Sequence, residues 1–94
     1  MGYYEKLPIV VEAITFTELV QHGKLQNKDL AIHELPWSFD YKGYPITHER
    51  DDCYIIPTLE GSVFFTPSDM LLTGIEGEIY PCKIDIFNKT YKKI

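Results

Sequence analysis

The sequence is poor in cysteine and has no long apolar run. Its two cysteines, Cys53 and Cys82, are isolated from each other, whereas small disulfide-stabilised domains usually carry four or more. We therefore expect buried free thiols, with a single bridge between the two as the alternative. No apolar stretch reaches the roughly 20 residues of a transmembrane helix, and residues 1–6 lack the charged-then-apolar order of a signal peptide. These absences predict a cytoplasmic protein with no membrane span.

Basic residues are also scarce. The 94 residues include 9 Lys and Arg against 14 Asp and Glu, which gives a net charge of −5. This balance argues against general nucleic-acid binding, which needs an excess of phosphate-neutralising side chains. The positive charge is concentrated in residues 83–94, which hold four lysines and one aspartate. With 45% hydrophobic residues, the chain predicts one acidic globular domain over residues 1–94.

Patterns typical of metal sites and catalysis are missing as well. The histidines His22, His33 and His48 do not pair with a cysteine at the close spacing of a zinc site, and residues 49–52 are typical of a solvated acidic loop. No nucleophile motif or phosphate-binding loop is present. We therefore predict a non-enzyme with no metal and no cofactor. If there were a catalytic site, its side chains would come from Cys82 and from one polar cluster: Glu12, Asp69, Glu78, Tyr80, Lys83 and Asp85.

The first third of the chain predicts a strand followed by a helix. Residues 8–16 are rich in β-branched side chains and apolar on both faces, which favours a strand well inside a sheet. Glu12 is the exception, either a carboxylate at a wet edge or a partly buried acid held by a lysine or backbone donors. Thr17 is the predicted N-cap of a short helix that Gly23 ends, followed by a loop over residues 24–30.

An aromatic stripe follows. Trp37, Phe39 and Tyr41 recur at every second residue, the period of a strand, and Lys42-Gly43 suits a tight turn into the next strand. The stripe either covers the core or is kept exposed for a ligand or a partner. The candidate binding surface consists of Trp37, Phe39, Tyr41, Tyr44 and Arg50.

The last part of the chain predicts two hairpins and a helix. Strands over residues 53–58 and 62–66 flank Gly61, and strands over residues 70–73 and 78–82 flank two further glycines. Asp85 is the predicted cap of a final helix whose inner stripe is Ile86, Phe87, Thr90, Tyr91 and Ile94.

Together these elements predict an α+β domain. We expect a curved, mostly antiparallel sheet or small partial β-barrel, with a short helix after the first strand and a C-terminal helix. The predicted core is Val10, Ile14, Phe16, Leu19, Ile55, Phe64, Leu71, Ile79, Ile86, Phe87 and Tyr91.

Two regions resemble a family of small phage and prophage proteins that carry a PGDYG motif. They are residues 6–17 and, in the last third of the chain, the stretches 58–61, 67–70, 74–87 and 90–91, where the specific part is the run from Gly74 to Tyr91. The motif itself is altered, with Ser68 where the family has glycine and Met70 where it has tyrosine. The resemblance implies a phage or prophage origin and a location in the host cytoplasm, and it implies no known reaction.

Three functions remain open from the sequence. The leading one is a non-catalytic protein-interaction module that acts on host or phage machinery, with acidity steering it to a basic partner. The alternatives are an oligomer that binds or sequesters a nucleotide, with Arg50 and Lys83 as phosphate partners, and a structural component of the virion. A homodimer is expected if the aromatic face is exposed.

Overall fold

The chain folds into two antiparallel sheets and two helices. The computed structural model describes residues 1–5, 9–27, 30 and 34–94. Over these residues the elements are β1 (Glu12–Thr15), α1 (Phe16–Gln26), β2 (Ser38–Tyr41), β3 (Tyr44–Arg50), β4 (Cys53–Thr58), β5 (Gly61–Phe65), β6 (Asp69–Thr73), β7 (Ile79–Lys83) and α2 (Ile84–Thr90). Pro8 of the first predicted strand, residues 28–29 of the predicted loop and His33 lie outside the described residues.

The strands are divided between a three-stranded sheet, in the order β1-β6-β7, and a four-stranded sheet, in the order β2-β3-β4-β5. The four-stranded sheet is a series of successive hairpins. The three-stranded sheet joins the start of the chain to its last third, with Ile14 opposite Leu71. The predicted α+β class, with a helix after the first strand and a C-terminal helix, is confirmed. The described strands do not close into a barrel.

Residues with left-handed backbone form the hairpin turns. Lys42 and Gly43 have φ angles of 54° and 85°, as a two-residue turn between twisted antiparallel strands requires. Gly61 and Gly77 have φ angles of 114° and 84°. The predicted turns at these three glycines are confirmed, because few other residues adopt this conformation without strain.

The core lies between the two sheets and α1. It consists of Phe16, Leu19, Val20, Phe39, Tyr41, Ile46, Tyr54, Ile56, Phe65, Leu71 and Ile79. Of the predicted core, Phe16, Leu19, Leu71 and Ile79 are confirmed, whereas Ile14, Ile55, Phe87 and Tyr91 are only half-buried.

Three predicted core residues are exposed instead, and the prediction is wrong for them: Val10, Phe64 and Ile86. Successive residues of a strand face opposite sides of the sheet. Because Phe65 is fully buried, its neighbour Phe64 points away from the core. No residue of α2 is buried, so the outer side of this short helix leaves Ile86 in solvent.

The first strand is shorter and more peripheral than predicted. β1 pairs only with β6 and forms an edge of its sheet, so the prediction of an interior strand is wrong. Both faces of β1 are apolar because each contacts a different part of the protein. Ile14 packs against the core, whereas Ala13, on the opposite face, lines a groove beside α2.

Helix α1 begins two residues before the predicted start. Thr15, not Thr17, is the N-cap: its side chain accepts a hydrogen bond from the Glu18 backbone N–H at 3.1 Å, and Glu18 Oε1 accepts one from the Thr15 N–H at 2.9 Å. This reciprocal capping box needs Glu three residues after the cap, which favours Thr15. Gly23 does not end the helix, which continues to Gln26.

Helix α2 also differs from its prediction. It begins at Ile84 after Lys83, with no side-chain cap, so Asp85 lies inside the first turn, where its Oδ1 accepts a hydrogen bond from the Ile86 N–H at 3.0 Å. The prediction that Asp85 caps this helix is therefore wrong. The helix ends at Thr90, and Tyr91 stacks on Phe87 with ring centroids 5.1 Å apart.

Tyr54 makes the core sensitive to alkaline pH. Its ring is fully buried and its hydroxyl donates to the Pro36 carbonyl at 3.1 Å; burial raises the pKa of the phenol from 10.0 to about 12. The folded protein holds the phenol proton of Tyr54 more tightly than the unfolded chain does. The contribution of this group to the free energy of unfolding is therefore complete below pH 10 and is lost as the pH rises toward 12.

We expect Tyr54→Phe to lower the free energy of unfolding by about 1 kcal/mol at neutral pH, through the lost hydrogen bond. The difference in the free energy of unfolding between the two proteins should shrink as the pH rises from 10 to 12. The wild type loses stability when Tyr54 titrates, whereas phenylalanine does not titrate. Urea unfolding at several pH values measures this. A difference that stays constant over that range would contradict it.

Candidate functional site

The structure splits the aromatic stripe. Phe39 and Tyr41 are 5% and 6% exposed and belong to the core, whereas Trp37 is 70% exposed. Trp37 is the residue directly before β2, and its backbone carbonyl still accepts a hydrogen bond from His48 of β3. The interpretation of the stripe as a core face is therefore confirmed for Phe39 and Tyr41 and wrong for Trp37.

The other two members of the predicted binding surface make contacts of their own. Tyr44 is half-buried against the core. The guanidinium of Arg50 lies 5.2 Å from the centroid of the Phe64 ring, which is a cation–π contact at the surface of the four-stranded sheet. The surface proposed from the sequence is thus reduced to the region around Trp37.

Trp37 lines a shallow pocket of about 520 Å³. The remaining lining residues are Glu34, Leu35, His48, Asp51 and Asp52. They come from the segment before β2, from β3, and from the turn between β3 and β4. The His48 backbone N–H donates to the Trp37 carbonyl at 2.7 Å, and the two rings meet edge to face with centroids 5.3 Å apart. These contacts hold the indole in place beside the pocket.

The pocket is negatively charged. Glu34, Asp51 and Asp52 are all exposed, and among the described residues no lysine or arginine lines the pocket with them. Within the described part of the chain, the ion pairs are made by other carboxylates. An exposed indole beside three exposed carboxylates suits a cation, which gains from both the aromatic face and the negative charge.

His48 adds an unpaired polar atom to this region. Its Nε2 is buried and has no hydrogen-bond partner among the described residues, and its ring also packs 5.1 Å from the Tyr54 ring. Buried polar groups are nearly always paired in native proteins. His48 therefore links the pocket to the core through its ring contact with Tyr54. Its buried Nε2 is left without a hydrogen-bond partner among the described residues.

The predicted polar cluster does not assemble as a set. Asp69 and Lys83 are opposite each other on β6 and β7 and form an ion pair of 3.1 Å. Glu12 is on the edge strand and pairs with Lys42 at 2.8 Å. The hydrogen bond from Lys42 holds the pKa of the Glu12 carboxyl below its usual value. Glu12 is thus an exposed edge carboxylate that is also held by a lysine.

The remaining members of that cluster have local roles. Glu78 folds over Gly74 and accepts from the Glu76 backbone N–H at 3.3 Å, within the turn between β6 and β7. Tyr80 is half-buried beside Tyr91, and burial raises the pKa of its phenol to about 12. Asp85 is exposed on α2. These side chains shape turns and packing instead of converging on one substrate.

Sequence reasoning missed most of the Trp37 pocket. Asp51 and Asp52 were assigned to a solvated loop, and Glu34 was not singled out. A usable signal exists, because Trp37 and the turn at residues 51–52 would approach each other if β2, β3 and β4 formed a meander. The backbone bond from His48 to Trp37, one residue before β2, is what brings them together.

Both cysteines are free thiols, Cys53 buried and Cys82 half-buried. Within the described ranges, no group of three or more His, Cys, Asp or Glu side chains is arranged to hold a metal ion, and no helix has the length and apolarity to cross a membrane.

Comparisons of the chain with protein-family models, with curated proteins and with solved structures found no match. The likeness to the phage family noted from the sequence stays a prediction. The function of the chain is therefore inferred from its own surface.

Proposed function

We propose that this chain is a non-catalytic protein-interaction module that binds a lysine- or arginine-rich segment of a partner protein in the Trp37 pocket. The observation that carries the proposal is the exposed indole of Trp37 among the three exposed carboxylates of Glu34, Asp51 and Asp52. The alkyl stem of a lysine or arginine packs on the indole while its charged end reaches a carboxylate.

The charge of the whole chain supports the same partner. A net charge of −5 attracts a basic segment from a distance and raises the association rate, and this effect weakens as salt screens it. Trp37 is a suitable anchor because tryptophan is enriched among the residues that contribute most to binding. The resemblance to phage proteins extends the proposal to host or phage machinery in the host cytoplasm.

The proposal predicts that a basic peptide quenches or shifts the fluorescence of Trp37, which is the only tryptophan in the chain. A lysine- and arginine-rich peptide should bind, and a peptide of the same length with glutamates at those positions should not. Trp37→Ala should weaken binding of the basic peptide by about tenfold in calorimetry. Tyr4→Ala is the matched control, because it removes an aromatic side chain that is 96% exposed and outside the pocket.

Charge variants separate the pocket from the general acidity of the chain. Asp51→Asn combined with Asp52→Asn should weaken binding of the basic peptide, whereas Glu60→Gln combined with Glu76→Gln removes the same charge elsewhere and should have little effect. If both double variants weakened binding of the basic peptide equally, binding would depend on the net charge of the chain and not on the pocket. Unchanged binding by Trp37→Ala, or equal binding of the acidic peptide, would overturn the proposal.

A further inference from the structure

A second surface, which shares no residue with the Trp37 pocket, carries an apolar groove of about 830 Å³. Its floor includes Ala13 and Met70, which lie on the side of the three-stranded sheet that faces away from the core. Residues 9–11 form one wall, and Phe87 and the segment 91–94 form the other. Val10 is 75% exposed there. Among the described residues, the groove is therefore a channel with an apolar floor between two short chain segments.

Positive charge lies in the same groove. Lys92 and Lys93 both line it, and in the described part of the chain neither forms an ion pair. Glu18 is the one acidic residue of the lining, and its Oε1 already accepts the Thr15 N–H in the capping box. On a chain with a net charge of −5, this groove combines an apolar floor with a local excess of lysine.

We propose that the groove binds a free long-chain fatty acid. The alkyl chain lies on Val10, Ala13 and Met70, and the carboxylate reaches Lys92 and Lys93. The volume is within the range of small-molecule sites, about 300–1,000 Å³. Ammonium groups bind a carboxylate through charge-assisted hydrogen bonds, and burial of the methylene groups supplies the hydrophobic part.

A single flexible chain is a better occupant than a broad surface. The floor residues lie between the two walls, so a narrow ligand reaches them more readily than a bilayer or a second folded copy does. The ammonium groups favour an anionic end over an uncharged one. The proposal therefore depends on both features of the ligand, a long apolar chain and a carboxylate.

The test uses the whole chain and cis-parinarate, a fatty acid that becomes fluorescent in an apolar site. We expect its emission to rise on binding and palmitate to displace it, while hexadecanol, with the same chain length and no charge, displaces it at least about fivefold less well. Lys92→Gln combined with Lys93→Gln should weaken palmitate binding by about tenfold. Lys89→Gln is the matched control: it removes a lysine of α2 that does not line the groove, and it should leave binding nearly unchanged.

A second pair of variants tests the apolar part. Val10→Asp should abolish the binding of parinarate and palmitate. Because Val10 is exposed, the fold should tolerate the change. Leu59→Asp adds the same charge at a residue that is 76% exposed outside the groove, and it should bind palmitate normally.

Several results would overturn the proposal. They are the absence of parinarate emission, equal displacement by palmitate and hexadecanol, and equal losses from the two aspartate variants. Binding to anionic phosphatidylglycerol vesicles without displacement by free palmitate would assign the groove to a membrane. Concentration-dependent dimerisation in sedimentation, abolished by Val10→Asp and without parinarate binding, would assign it to a second copy.

Discussion

Asp69→Ala is expected to lower the free energy of unfolding by about 3 kcal/mol. The carboxylate is buried, with the residue 4% exposed. Its Oδ2 accepts the Thr66 backbone N–H at 3.0 Å and the Thr66 hydroxyl at 3.3 Å, and its Oδ1 pairs with Lys83 at 3.1 Å. Alanine leaves the Thr66 N–H without its acceptor and removes the partner of Lys83.

Because of the position of Asp69, this loss in the free energy of unfolding is larger than the loss of an exposed ion pair would be. The residue opens β6 after the turn from β5, and its own N–H donates to the Thr66 carbonyl at 3.0 Å. It thus closes the turn where the chain passes from the four-stranded sheet to the three-stranded sheet. We infer that Asp69 has a structural role at this turn.

Urea unfolding measures the effect, with two comparisons. Asp69→Asn keeps an oxygen that can accept from Thr66 and loses the charge facing Lys83, so it should fall between alanine and the wild type. Asp85→Ala, which loses only an exposed bond to the Ile86 N–H in the first turn of α2, should change stability by no more than about 1 kcal/mol. An Asp69→Ala protein as stable as the Asp85→Ala protein would show that the turn does not need the carboxylate.

Gly23→Ala should also destabilise the protein, by about 2 kcal/mol, although alanine is ordinarily the better helix residue by about 1 kcal/mol. A Cβ atom at Gly23 would lie 2.7 Å from Cδ1 and Cε1 of Phe39 and 2.7 Å from Cγ of Pro36. Phe39 and Pro36 are buried. Neither can move aside without disturbing the packing of β2 on α1.

Thermal and urea unfolding of Gly23→Ala, beside Gln21→Ala on the exposed side of the same helix, measures the prediction. Gln21→Ala should be neutral or slightly stabilising, because it changes only helix propensity. Combining Gly23→Ala with Phe39→Leu should cost less than the sum of the two single losses, since the smaller side chain removes the ring that the new Cβ meets. A Gly23→Ala protein more stable than the wild type would mean that α1 and β2 do not pack this closely.

Gly23 also shows where local pattern and tertiary packing conflict. By its sequence alone, a glycine after a short amphipathic run indicates a helix end. The helix continues because the cost of glycine inside it is offset by the close approach of α1 to Phe39. The resulting contact lets His22, Gln26 and Asn27 bond to the backbone of β2 at Asp40 and Ser38. Side chains of α1 thus cover the outer edge of that strand.

The candidate site was predictable only in part. The aromatic alternation correctly indicated a strand around residues 38–41, because side chains of a strand alternate between its faces. It did not show which aromatic residue stays outside. That depends on which residues pack around each ring: Phe39 is buried in the core, whereas Trp37 lies exposed beside Asp51 and Asp52.

The sequence by itself determined the hairpins and their turns, because left-handed backbone at Gly43, Gly61 and Gly77 is a local requirement that few other residues meet. It also determined the α+β class, since strand and helix periods differ. Only the tertiary structure decided that the strands divide into two sheets, that β1 lies at an edge, and that Trp37 is exposed while Phe39 is buried. These outcomes depend on contacts between residues far apart in the chain, whose free energies no local pattern contains.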